Sequence, residues 1–410
     1  MGSAPRWWVL CRDGGFLGEM AGHILGEKPT VSARRVPGRR ETHRLGAEGI
    51  RSASGGGEGM SDVAVRESVW AAATAQCPKH MEYGPCGGVG FDGSCEVDAA
   101  LPCAFAASAP REWRGGEASA ARESAGAVAM RALLATRAVV VADFPARALD
   151  ARSIAECAEA LRGSVDAVLA GDHGSARVQF SPTYRAHLIA REGIAPMIGL
   201  NCRDRNRVAL EGELAGLADV GVAAVHCITG DHTQTGSRPD AQPVFDLDST
   251  ELAALARATG HLVTVAEAPT TPPVAHRPAR LVQKERAGAE LCFVNHCGGA
   301  EPVRRFIAAA RALGSRAGFV PCLPIVLDEG SAALLRSFTT LALPPGYVDG
   351  ILSQRDVRSA GIAAAVALGR ELLAVDGVVG VDLSGGAAPG EECAYAGAVA
   401  EIGRELGGAR

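Results

Sequence analysis

What the sequence lacks narrows its function first. No run approaches the ~20 consecutive apolar residues that a membrane-spanning helix needs, and residues 1–10 do not show the charged-then-apolar order of a secretory signal. A cytoplasmic protein with no membrane partner is expected. The formal net charge is only −5, and no basic face interleaved with aromatics occurs, which argues against nucleic acid as a partner. None of the twelve cysteines forms the C-x₂-C pair of ordinary zinc fingers. In a reducing compartment, a chain of this size does not build a disulfide framework from them either.

What is present reads as a large globular domain with an appendage. Apolar residues make up 47% and charged residues 21% of 410, a balance that supports a packed core, and the length exceeds what one ordinary core holds. Residues 1–65 are rich in Arg, Gly, Ser and Glu without apolar periodicity, and are expected to be a disordered extension. Met60 lies near its end and is a candidate start of the biological chain. A cysteine-rich segment follows over 66–112, a polar linker over 113–135, and the main domain over 136–410.

The main domain alternates. Short β-rich apolar runs occur at 138–144, 165–172, 195–202, 222–231, 261–269, 289–296, 317–325 and 378–384, with helically spaced stretches between them. Eight strands alternating with helices predict parallel βαβ units closing into a (β/α)₈ TIM barrel, whose active site lies at the C-terminal strand ends. One helix shows its boundaries in the sequence: Asp248 as N-cap, Glu251 completing a capping box, Gly260 closing it, with Leu252 and Leu255 on the buried face. A doubly wound open sheet would need a glycine-rich turn after strand one, and ADFPARALD supplies none. Cys157, Cys202, Cys227, Cys292 and Cys322 lie inside apolar runs, where buried free thiols are expected.

Cys77, Cys86, Cys95 and Cys103 are different. They stand at nearly even intervals among Gly, Pro and Asp, and four thiolates in a loop-rich segment suit Zn²⁺ or an iron–sulfur cluster. Gly88, Gly90 and Gly93 satisfy G-x-G-x-x-G, but no strand precedes them, so the match is accidental. The strings CPKHMEYGPCGG and DGSCEV resemble the small cysteine-motif domain found beside or fused to some bacterial methylenetetrahydrofolate reductases. That resemblance implies a metal-binding accessory unit.

CRDRN at 202–206, ITGD at 228–231, PVFDLDS at 243–249 and KERAGAE at 284–290 together resemble the methylenetetrahydrofolate reductase barrel over about residues 136–385. The resemblance implies reduction of 5,10-methylenetetrahydrofolate to 5-methyltetrahydrofolate through FAD, with NAD(P)H as electron donor and folate as substrate. Copies of such barrels commonly associate, and an electron-transfer partner subunit is the other expected partner. Asp231 stands where the family's aspartate lies near flavin and folate, with Thr229 and Gly230 beside it; its place at a strand's C-terminal end favours that role over the alternative of a helix N-cap. Asn295 aligns with a folate-contacting glutamine, or is a core amide. Lys284 aligns with a lysine near the flavin adenosine, or is a surface helix lysine. Asp172 is expected at the mouth as a ligand contact, and Asp204 as a brace for Arg203 or Arg205; capping would explain either acid.

The resemblance also has gaps. The family's catalytic glutamate is Ala142, and its flavin-contacting histidine is Gly199. Its strand-four arginine is Thr229, and an acidic partner of the lysine is Arg277. Asp143, next to Ala142, is the candidate replacement acid, yet strand alternation from Ala142 turns it away from the lumen unless a bulge intervenes. An accessory subunit that binds folate or transfers electrons without catalysing reduction is therefore the alternative function.

Overall fold

The computed structural model describes residues 62–408 apart from 121, 173–175 and 339. The expected disordered extension thus lies outside the described residues up to 61, and its last residues begin a helix.

That helix, α1 (Asp62–Gln76), leads into the cysteine segment, after which α2 (Ala125–Leu134) precedes the barrel. Eight strands follow in order: β1 (Val139–Asp143), β2 (Ala167–Ala170), β3 (Pro196–Asn201), β4 (Ala224–Ile228), β5 (Val263–Glu267), β6 (Leu291–Val294), β7 (Gly318–Pro324) and β8 (Gly380–Ser384). Each pairs in parallel with the next, and β8 pairs with β1, closing the barrel. Between them run α3 (Ala151–Leu161), α4 (Pro182–Arg191), α5 (Arg207–Val220), α6 (Ser249–Ala258), α7 (Arg277–Arg286) and α8 (Ala300–Ala312). The β7–β8 connection carries α9 (Glu329–Arg336), α10 (Tyr347–Leu352) and α11 (Val357–Leu373), and α12 (Glu392–Glu405) ends the fold. Every strand expected from the sequence is present, as is the α6 capping box of Asp248 and Glu251.

Strand alternation sorts the core into two layers. Val140, Ala142, Ile198, Leu200, Val225 and Val263 pack outward against the helices. Val139, Val141, Ala167, Leu169, Met197, Phe293 and Val320 fill the lumen, and Ala127 and Met130 of α2 join them from the N-terminal side. Among the described residues no helix is long and apolar enough to cross a membrane.

The cysteine segment docks on the N-termini of α6 and α7 through buried polar groups. Asp248 Oδ1 accepts the Thr250 amide at 2.6 Å as the α6 cap, while Oδ2 accepts the Glu82 and Tyr83 amides at 3.2 and 3.1 Å. The Arg280 guanidinium lies 3.5 Å from Oδ2. Burial alone would raise the Asp248 carboxyl, but Arg280 and the three amides outweigh it and hold the group below its ordinary range. Arg277 donates to Thr271 O, Pro272 O and Pro85 O, and Gln283 accepts the Trp113 amide. Gly84 fits here at φ +126°, and a Cβ on it would stand 3.1 Å from Arg280 Cδ.

Two outcomes test this docking. Replacing Arg280 with Met leaves Asp248 buried without its cation, and should lower unfolding free energy by about 3–5 kcal/mol in denaturant titration. Glu251 is pushed up to about 7, first by burial and then by the charges of Asp248, Glu82 and Asp246, against its bond from the Asp248 amide. A carboxyl raised in the folded state stabilises below its unfolded pKa, and that stability is lost as pH rises through about 7. Glu251→Gln keeps the capping box, so its Tm should match wild type at about pH 5 and exceed it at about pH 8.

Candidate active site

The C-terminal strand ends gather the residues expected from the sequence, but they hold them in unlike ways. Asp172, just beyond β2, is the centre of a closed network: Oδ1 accepts from Gln179 at 2.6 Å and Asn201 at 3.0 Å, and Oδ2 pairs with the buried Arg203 at 2.6 Å. Asp204 braces both Arg203 and Arg205. Asp172 therefore ties β2 to β3, and its carboxylate is occupied within the protein rather than free for a ligand. Thr229 is similarly engaged, its Oγ1 accepting the Ser249 amide at 3.2 Å. Gly230 takes φ +86°, and a Cβ there would meet Asn201 Cβ at 2.8 Å, so the turn needs glycine.

Lys284 is neither on the surface nor directed at the mouth. Its ammonium donates to Ala266 O and forms an ion pair with Glu267 Oε1, both at 2.6 Å, and the residue is 7% exposed. Glu267, at the end of β5, also lies 3.9 Å from Arg277. The acidic partner missing upstream of the lysine is thus supplied by another strand, which sequence spacing does not reveal. At Gly199, a Cβ would meet Gly171 Cα at 2.8 Å, so the close approach of β2 and β3 leaves no room there for a histidine like the family's. Three of the expected flavin contacts, Thr229, Lys284 and Asp172, have their polar atoms committed internally. These side chains do not fit the flavin role that the resemblance gives them.

Two expected residues remain open to a ligand. Asp231 has a side chain 58% exposed, and Asn295 is exposed at the end of β6. Asp231 is flanked by cations. Arg177 Nη2 stands 3.6 Å from it, and Lys79 of the cysteine segment acts on it electrostatically. Lys79 is buried, which by itself would lower its pKa; Cys86, Glu96 and Asp231 together raise it above its ordinary value, and it remains a cation. Next to Asp231, His232 stacks on Phe245 with centroids 5.7 Å apart. Neither Lys79 nor Arg177 was expected at the site. Lys79 lies within the CPKHM string, but nothing in the sequence tells that this string folds back to strand four.

The expected facing of β1 is reversed. Ala142 packs outward with Ile154, Cys157 and Leu161, whereas Asp143 shares the lumen face with Val139 and Val141. Register needs no bulge, since Val139, Val140, Val141 and Ala142 pair in unbroken succession with β8. The error lay in assigning Ala142 to the lumen. Asp143 Oδ2 accepts from Ser384 Oγ at 2.8 Å and the Gly385 amide at 3.2 Å. Burial pushes its carboxyl up to about 6 despite these two bonds. Below it on β8 lies Asp382, 1% exposed, whose Oδ2 faces the Cys322 thiol at 3.6 Å. Asp382 was not singled out from the sequence. Its signal was an aspartate inside the apolar run GVDLS, at the alternation that faces inward.

Cys77, Cys86, Cys95 and Cys103 are unpaired thiols that act on one another electrostatically. Cys77, Cys86 and Cys103 pack on the small core of Ala73, Met81 and Phe105. Turn amides are aimed at their sulfurs: Met81 and Lys79 at Cys77, Gly88 at Cys86, Phe105 at Cys103. Burial dominates all three and raises them, Cys86 to about 12. Among the described residues no three His, Cys, Asp or Glu side chains converge into metal-ligating geometry. Of the five thiols expected to be buried, Cys157, Cys202, Cys227 and Cys292 are, and Cys322 is partly open to the lumen.

Comparison with known proteins adds two kinds of likeness. No curated protein matches the chain in sequence. In structure, the chain is similar to oxaloacetate acetylhydrolase in complex with oxalate, at TM-score 0.39 and 14% identity over 64% of this chain and 82% of that one. It is similar to 2,3-dimethylmalate lyase of the PEP mutase/isocitrate lyase superfamily at TM-score 0.38 and 15% identity, over 64% and 78%. An uncharacterized protein from Clostridium thermocellum that binds two copies of 5-methyl-5,6,7,8-tetrahydrofolic acid gives TM-score 0.50 and 10% identity, over 67% of this chain and 99% of that one. At that identity the likeness is one of barrel fold. In sequence, residues 60–127, which include all four clustered cysteines, match the family described as methylene-tetrahydrofolate reductase C terminal.

Proposed function

We propose that the barrel mouth binds a reduced folate and reduces its one-carbon bridge, 5,10-methylenetetrahydrofolate to 5-methyltetrahydrofolate, with the cysteine segment as a metal-binding cover. One observation carries this reading. The segment similar to the reductase C-terminal family is seated at the strand ends where barrel chemistry occurs, and its Lys79 acts on Asp231. The folate bound by the Clostridium thermocellum protein supports a folate as the ligand of a barrel of this shape.

The open residues suit such a ligand. Asn295 offers an amide, donor and acceptor together, to the pterin edge. Asp231, with Arg177 and Lys79 beside it, presents a carboxyl at the mouth, where it orients the ring and faces the positive charge that develops as the bridge opens. Asp143 supplies a carboxyl on the lumen side. Hydride comes from NADH, NADPH or a reduced flavin that binds without Thr229, Lys284 or Asp172.

Cys77, Cys86, Cys95 and Cys103 supply the sulfur donors that zinc or an iron–sulfur cluster takes, and turn amides directed at Cys77, Cys86 and Cys103 oppose the burial that keeps those thiols protonated, so a metal would have to draw the four together and displace their protons. Zinc there would fix the segment's fold, and an iron–sulfur cluster would also carry electrons.

The committed side chains of Thr229, Lys284 and Asp172 favour a second reading, an accessory subunit that binds folate or passes electrons without catalysing reduction. Steady-state assays of the metal-replete full chain with methylenetetrahydrofolate and NADH, NADPH or reduced flavin separate the two. Turnover is expected, and Asp231→Asn should lower kcat/KM by roughly 10- to 100-fold, about 1.4–2.7 kcal/mol of transition-state stabilisation. No turnover with any donor would sink the reductase reading, and bound iron without turnover would favour the electron-transfer subunit.

A further inference from the structure

The lumen beside β1 and β8 contains a group of acids with no counter-ion. Asp143 is half-buried at the mouth and Asp382 lies fully buried beneath it on the neighbouring strand. The register Val141↔Asp382 and Ala142↔Leu383 places them diagonally on one face, both pointing inward. Diagonal neighbours of this kind are within side-chain reach. The groups that face them are the Cys322 thiol on β7, Ser384 and the Gly385 amide on β8, and the Tyr395 phenol on α12. Asp328 and Tyr347 act on Tyr395 in turn. Among the described residues no cation is paired with either carboxyl.

Polar atoms are left over in this group. Asp382 Oδ1 and the Tyr395 hydroxyl are buried without a hydrogen-bond partner among the described residues. Two carboxylates cannot both ionise cheaply in one buried space, so such a pair holds a proton between them at neutral pH. A buried ionised carboxylate without a cation is too costly to persist, whereas a protonated one is tolerated. Asp382, with less access to water, is the member that keeps the proton; it is held well above the ordinary carboxylate range by burial and then by Asp143.

We infer that Asp143 and Asp382 form one proton-sharing acid at the floor of the barrel mouth, Asp143 delivering the proton to a basic ring nitrogen of the bound substrate and Asp382 resupplying it. This inference rests on the proposed reduction. In that reaction the bond between the methylene carbon and one bridge nitrogen breaks. Its electron pair stays on that nitrogen, which takes the carboxyl proton, and an iminium forms at the other nitrogen. Hydride from a dihydronicotinamide co-substrate then adds to the iminium carbon, so the nicotinamide is oxidised as the carbon is reduced. The proton is the one reactant that the hydride donor does not supply, and the lumen holds it at the C-terminal ends of β1 and β8. Asp143 is here a catalytic residue and Asp382 a positioning residue.

Infrared difference spectra of the full chain, wild type against Asp382→Asn and Asp143→Asn, read the pair directly. Wild type at pH 7 should show the carbonyl stretch of a protonated carboxylic acid, lost in Asp382→Asn and kept in Asp143→Asn. Its absence in wild type, or its survival in Asp382→Asn, overturns the inference. Ser384→Ala keeps both carboxyls in the chain, removes only a hydroxyl that donates to Asp143, and guards against misfolding of the others. Losing that hydroxyl should raise the pH at which Asp143 deprotonates by roughly 0.5–1 unit, and an unmoved transition counts against the pair. In turnover, Asp143→Asn should lower kcat about 10²- to 10⁴-fold, with KM for folate little changed and partial rescue by Asp143→Glu. Wild-type turnover with an unaffected Asp143→Asn rejects this inference and leaves the reductase reading standing. A wild type without turnover rejects both.

Discussion

The structure depends on a buried belt of charge along one face of α7. Arg277, Arg280 and Lys284, spaced by three and four residues, all point inward and are 1%, 1% and 7% exposed. They meet Asp248 from the α6 cap and Glu267 from the end of β5. Such groups repay their desolvation only when each is paired and hydrogen-bonded, and here the pairing is shared between the barrel and the cysteine segment. Asp248 accepts amides from Glu82 and Tyr83, and Arg277 donates to Pro85. The belt joins a loop-rich segment with a very small core of its own to a barrel with a large one. It also brings Lys79 to Asp231.

This arrangement divides the mouth into two parts. On the β2–β5 side most charged groups are satisfied by one another, which gives rigidity and leaves Asp231 open, with Asn295 also open at the end of β6. On the β7–β8–β1 side, carboxyls, a thiol and a phenol gather with no cation paired to the carboxyls among the described residues. The first environment holds Asp248 below its ordinary range and the second raises Asp143 and Asp382 above it. Environments that push acids apart in this way are how one protein provides both a fixed charge and a proton donor at neutral pH.

The barrel was legible because its signals are local and repeated: eight β-rich runs at helix-length spacing, and caps such as Asp248 and Glu251. The roles of individual mouth residues were less so. Lys284 reads as an exposed helix lysine until Glu267, seventeen positions earlier and on a different element, is seen to bond it. Asp172 reads as a ligand contact until Arg203 and Asn201 close around it. Pairings between elements leave no periodic trace in the sequence. The facing of Asp143 could have been read from alternation alone had it been counted from Val139 and Val141, which fill the lumen. Counting instead from the family's glutamate position put Ala142 inside and Asp143 out.

The central claim is that this mouth recognises a reduced folate. Isothermal titration of the metal-replete full chain with 5-methyltetrahydrofolate tests it without requiring turnover, a cofactor or a partner. The account predicts saturable binding in the micromolar range, about −8 kcal/mol at 1 μM, weakened by truncating Asn295 to Ala. Absence of heat and of competition up to millimolar ligand, in protein shown to be folded, would contradict it.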